Sequence, residues 1–235
     1  MGNDLVDKAI LEFEKKEGKG GNISGEYSIR VVRKDGEEIY NSGMVPCNCF
    51  VIAFLKQLHR YLYANDIYAG CPSCPGAVDL TWTDGTTSSN AMWPPGAGGT
   101  CPDVVVCGED VTNIGIVVGS GTTVVTLEDH ALESQHLSDA LYHSACECIT
   151  ENGWALDGNV MYTEFTRSFV NTSEATLSLG EMGLYSLLTR GYVDCPPVTP
   201  ITKSAMLMRD VFGPTSVPAG GTVYGLYRII LNAGD

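Results

Sequence analysis

The sequence predicts a mainly β fold, an antiparallel β-sandwich of jelly-roll-like form, with one packed α-helix and a short N-terminal helical arm. Three observations carry this expectation. Residues 159–188 read as an amphipathic β-hairpin. In its first arm Met161, Thr163, Phe165, Arg167 and Phe169 share one face, and Tyr162, Glu164, Thr166 and Ser168 take the other, which is the period-2 pattern of a half-buried strand. The segment Asn171-Thr172-Ser173-Glu174 supplies a polar turn, because such short side chains hydrogen-bond their own backbone. A strand pair with so apolar a face must press it on another sheet. The 27 glycines and 11 prolines suit a turn-rich β protein, and 235 residues with 44% hydrophobic content can fill one large core.

The elements follow in chain order. Residues 4–17 form an amphipathic helix with Leu5, Val6, Ala9, Ile10 and Phe13 on one face. Gly18-Lys19-Gly20-Gly21 is a flexible tether. Residues 1–20 are therefore an arm and linker, and 21–235 the sandwich domain. Leu5, Ala9, Ile10 and Phe13 are interface candidates, since a tethered apolar stripe can dock on a neighbouring subunit. Folding back on its own domain is an equal alternative.

Residues 26–40 read as a second hairpin around Asp35-Gly36, a favoured two-residue turn. Residues 47–64 read as the long helix, with Phe50, Phe54, Leu58, Tyr61 and Leu62 at three- and four-residue spacing and Pro46 at its start. A cysteine-rich excursion spans about 65–110. Within it residues 78–82 read as a strand and 83–100 as a long surface loop, and loops of that length are uncommon unless functional. Its Tyr68, Trp82 and Trp93 are further interface candidates, because large aromatics anchor contacts at low entropic cost. From Thr112 the sheet resumes with Ile114, Ile116 and Val118 in alternation. A strand at 205–211, a turn at Gly213-Pro214 and a strand at 222–231 close the chain. The last strand is apolar on both faces, as in a central strand or a covered edge.

Nine cysteines stand in the chain. Cys71 and Cys74 have the spacing of a zinc knuckle, but no second pair repeats it. Cross-links stiffen an irregular excursion more usefully than a sheet, so Cys71–Cys74 and Cys101–Cys107 are disulfide candidates, with reduced structural thiols the next reading and zinc after that. No thioredoxin-like pattern surrounds the Cys-x-x-Cys. Gly119-Ser120-Gly121 lacks the Lys-Ser/Thr of a phosphate loop and reads as a tight strand-end turn. Asp129, His130, Ser134, His136, Ser138 and Asp139 supply triad residue types, yet they crowd one polar segment, and a solvated loop is the plainer reading. No catalytic residue, cofactor site or metal site is expected.

The formal charge is −14, from 28 acidic and 14 basic residues, which argues against nucleic-acid binding. No run approaches the roughly 20 apolar residues of a membrane span. The N-terminal segment lacks the basic-then-apolar order of a secretory signal, so synthesis in a cytosol is expected.

Several stretches resemble structural proteins of tailed bacteriophages in their order. They are Ile116-Val117-Val118-Gly119-Ser120-Gly121-Thr122-Thr123, Ala131-Leu132-Glu133-Ser134, Arg167-Ser168-Phe169-Val170-Asn171, Glu181-Met182-Gly183-Leu184-Tyr185, Met208-Arg209-Asp210-Val211 and Val217-Pro218-Ala219-Gly220-Gly221-Thr222. The likeness covers roughly 26–64 and 112–231; the arm and the excursion depart from it. It implies a non-enzymatic virion component on a capsid or tail, with copies of itself and other virion proteins as partners. A surface adhesion or carbohydrate-binding module taking a host-surface glycan through Tyr68, Trp82 and Trp93 is the second reading. A metal-binding or redox protein built on the cysteines is the third.

Overall fold

The structure, a computed structural model, describes residues 22–47, 50–51, 53–55, 78–90, 105–149, 155–157, 160–190 and 201–232. The expected arm, and with it Leu5, Ala9, Ile10 and Phe13, lies outside the described residues. The described chain is mainly β. β1 (Asn22–Val32) and β2 (Glu38–Asn41) form the expected hairpin. Gly36 sits at φ +93 in its turn, a conformation that costs glycine least, and Asp35 accepts a hydrogen bond from the Glu37 amide. β3 (Val45–Pro46) also pairs with β1.

β4 (Val78–Thr81) and β5 (Thr87–Asn90) make a small hairpin. The excursion thus carries a second strand where the sequence reads as a continuous loop from residue 83. The remaining strands are β6 (Gly115–Gly119), β7 (Leu141–His143), β8 (Glu147–Cys148), β9 (Ala155–Asp157), β10 (Val160–Asn171), β11 (Leu177–Arg190), β12 (Ile201–Val217) and β13 (Thr222–Asn232). The larger sheet runs β2-β1-β13-β10-β7, with β3 beside β1 and β8 and β9 along β10; the smaller runs β12-β11-β6. All their pairings are antiparallel. β13 lies between β1 and β10, the central one of the two places its apolar faces allow.

The expected hairpin at 159–188 is corrected. β10 belongs to the larger sheet and β11 to the smaller, so the chain crosses between sheets at residues 172–176. The face assignment holds, since Thr163, Arg167 and Phe169 are all buried, although Met161 at the far end is exposed. Asn171 shapes the crossing. Its Nδ2 donates to the Ala175 and Val217 carbonyls, and its Oδ1 accepts from the Ser173 amide and hydroxyl. A second crossing, from β12 to β13, runs alongside, tied by Asn171 N to Gly221 O and Gly220 N to Asn171 O at 2.9 Å each. The turn expected at Gly213-Pro214 is also corrected: β12 continues through it, with an irregularity in place of a chain reversal. Residues 212–214 lie where the β11–β12 register shifts, between the Leu179–Thr215 and Glu181–Val211 pairs.

Both sheets contribute to one core. Tyr27, Ile29, Val31, Phe169, Val223 and Tyr227 from the larger sheet meet Ile116, Val118, Leu179, Met182, Leu184 and Met208 from the smaller. A second core covers the other face of the smaller sheet. There Val117, Tyr185, Ala205 and Met206 pack with Val51, Ala53, Leu80, Trp82 and Leu132. Burial on both faces explains why β6 is buried at every residue, and why its sequence is apolar without alternation.

This second core overturns two expectations. Trp82 is 1% exposed and is a core residue, not a surface anchor; its indole fills space against the smaller sheet. The helix does not start at Cys47. Phe50 pairs with Met208 in an antiparallel bridge and the Val51 amide donates to Leu207 O. The outer edge of β12 offers unpaired backbone groups, and they hold this stretch extended. Among the described residues only 53–55 are helical. Phe50 and Phe54 still stack, with ring centroids 4.3 Å apart. No helix among the described residues is long and apolar enough to cross a membrane.

Candidate functional site

Two buried arginines organise the polar interior. The first is Arg209 on β12, beside Glu181 on β11, and both side chains are buried. Arg209 Nε donates to Glu181 Oε2 at 3.0 Å and Nη2 approaches the same oxygen at 2.9 Å. Nη1 donates to Asp129 Oδ2 at 2.6 Å, and Nη2 to Thr123 Oγ1 at 3.2 Å. Glu181 also gathers the loop after β6. Its Oε1 accepts from the amides of Gly121 and Ser134, and its Oε2 from that of Glu133. Glu133 in turn accepts from the Thr122 and Thr123 amides and the Thr123 hydroxyl. These bonds hold Glu133 below the usual carboxylate range, the Thr123 amide foremost. Partial burial opposes ionisation of Asp129, but hydrogen bonds from Arg209 and Thr126 outweigh it and hold that carboxyl low as well. Tyr185 finishes the clamp, accepting from the Leu132 amide at 2.7 Å.

Gly119-Ser120-Gly121 takes its meaning here. Neither glycine has positive φ, so a tight turn is not why they are glycine. A methyl group at Gly119 would collide with the Ser134 carbonyl, and one at Gly121 would lie 2.5 Å from Glu181 Oε1. The backbone must pass close to Glu181 for the clamp to close.

The second arginine is Arg167 on β10, 1% exposed. Nε donates to Ser144 O at 2.8 Å, Nη1 to Ile114 O and Ile116 O at 3.0 Å each, and Nη2 to Val111 O at 2.7 Å. It ties the segment before β6 to the segment after β7. Beside it His143 is fully buried and meets the Phe169 ring edge-on at 5.1 Å. Neither His143 ring nitrogen makes a hydrogen bond of ordinary geometry among the described residues, and the nearby His136 backbone only partly offsets the effect of burial. Burial, reinforced by the Arg167 charge, pushes His143 down to about 4, so it is neutral.

Chemically these clusters fix shape. Every oxygen of Glu181 is occupied by donors, and Asp129 is held by Arg209 and Thr126. Among the described residues no hydrogen bond joins a histidine of this segment to one of its serines, and His136 Nε2 bonds the Ser178 carbonyl. The segment is a clamped loop, where the sequence suggests a merely solvated one. Among the described residues no group of three His, Cys, Asp or Glu could hold a metal ion.

Of the sequence-derived candidates, Tyr68, Trp93, Cys71, Cys74 and Cys101 lie outside the described residues. Cys107 is a free thiol whose cross-strand neighbour is Cys146. Sequence reading missed Glu181, Arg167 and Arg209 as organisers, because charged side chains are ordinarily exposed. The one available signal was Arg167 in a row of inward-facing residues.

No family model, curated protein or solved structure matches the chain.

Proposed function

We propose that the chain is a non-enzymatic structural component of a tailed-phage virion. It folds as a jelly-roll-like β-sandwich and assembles with copies of itself and with other virion proteins, on a capsid or tail. One observation carries the reading: the buried ionic groups are engaged in fixing the shape of surface loops. Glu181 and Arg209 hold three loop amides and Asp129, and Arg167 holds four carbonyls. A loop of fixed shape loses less entropy on docking than a free one. The stretches that carry the phage resemblance fall on this same framework. They contain Glu181, Arg209, Arg167, the glycines beside Glu181 and the crossing at residues 217–222. The glycan-binding alternative loses Trp82, which is buried.

Mass spectrometry of gradient-purified particles tests the proposal. The chain should be present in fixed ratio to the other virion proteins and survive a high-salt wash. Its absence from washed particles would refute the reading.

A further inference from the structure

We propose that Cys107 and Cys146 form a thiol–disulfide exchange site, which a small-molecule disulfide oxidises to an intramolecular Cys107–Cys146 bond. The inference does not depend on the virion reading. The two residues face each other in an antiparallel bridge, with Cys107 N to Cys146 O at 3.1 Å and Cys146 N to Cys107 O at 2.9 Å. Residues that exchange both backbone bonds have Cα atoms about 5.5 Å apart, within the range a disulfide spans. Cys107 is half-buried and Cys146 fully buried, so an oxidant reaches Cys107 first.

Gly115 makes room for the pair. A methyl group there would lie 2.6 Å from Cys146 Cβ and 2.8 Å from its sulfur. The Cys107 thiol reaches the Ile114 carbonyl at 3.3 Å, the same oxygen that Arg167 Nη1 bonds. Arg167 supplies a reason for reactivity. It is buried, its hydrogen bonds go to neutral carbonyls, and among the described residues no carboxylate lies within ion-pair distance of it. A buried cation favours a nearby anion, and a Cys107 thiolate would provide one. The neighbouring Cys146 thiol, together with the Arg167 charge, favours the Cys107 thiolate against burial. Its bond to Cys107, followed by burial, pushes Cys146 up. Cys107, the more exposed sulfur, is thus placed to attack, and the buried Cys146 to resolve.

The chemistry balances. The Cys107 thiolate attacks one sulfur of the oxidant, the oxidant's S–S bond breaks, and the first thiolate leaves and takes a proton from water. The Cys146 sulfur then attacks Cys107 in the mixed disulfide. The second thiolate leaves and takes up the Cys146 proton. Two protein thiols are oxidised by two electrons, and one disulfide is reduced to two thiols.

The full chain, equilibrated with oxidised glutathione, quenched with N-ethylmaleimide and digested without reductant, tests this. A linked Cys107–Cys146 peptide is expected. In a Cys146→Ser variant, glutathione should accumulate on Cys107. Should that variant not fold, alkylation of the reduced wild type gives the second readout, with Cys107 labelled on the order of tenfold faster than Cys47 or Cys148. Finding Cys107 linked to Cys101, or both Cys107 and Cys146 alkylated after exposure to the oxidant, would overturn the proposal.

Discussion

Glu181 shows how much rests on a single side chain. It is a buried carboxylate that neutralises a buried guanidinium and receives three amides from one loop. Removing Glu181 leaves three loop amides without their acceptor and Arg209 with Asp129 as its remaining close carboxylate, and breaking such a buried network costs about 3–5 kcal/mol. Glu181→Ala should lower unfolding free energy by about that much in chemical denaturation. A loss under about 0.5 kcal/mol, the range of an ordinary surface change, would count against the clamp. His143 makes a second residue-scale prediction. Its folded value of about 4 lies below the ordinary 6.5. Between those limits the unfolded chain binds a proton that the folded chain refuses, so stability should fall as pH drops from 6.5 toward 4. His143→Phe should flatten that part of a pH series of urea midpoints. An unchanged slope would show that His143 is not its source.

At the scale of elements, the excursion is part of the fold. Its β4–β5 hairpin places Leu80 and Trp82 on the smaller sheet, and the Thr83 amide donates to Ser204 O at 3.0 Å. Lys203 reinforces the join, donating to Asp84 at 2.8 Å. Trp82→Ala should therefore destabilise the protein by about 3–5 kcal/mol, as a large core truncation does. A stable variant with altered binding would instead restore Trp82 to the surface. Much of the β structure was legible: the Asp35-Gly36 hairpin, the inward face of β10 and the central place of β13. The β10–β11 crossing was not, because two strands that face each other across a core alternate just as two paired strands do. Phe50 and Val51 misled for a related reason. Phe50 and Phe54 have helical spacing, yet the free edge of β12 draws Phe50 into a bridge. The second core was hidden because consecutive apolar residues in β6 and β12 do not say which layer each face meets.

For the whole molecule, two sheets and an outer layer form a frame from which loops are held by buried arginines. The site followed less readily from sequence than the frame did. Glu181 and Arg209 lie on adjacent strands, but only the fold brings Asp129 and the Gly121, Glu133 and Ser134 amides to them. On this frame the loops have fixed shape. Hydrogen exchange of the wild-type protein tests it most directly, since protected amides report closed structure. The amides of Gly121, Glu133 and Ser134, though outside any strand, should exchange as slowly as those of β11. Exchange at the rate of an open loop, with β11 still protected, would contradict the account.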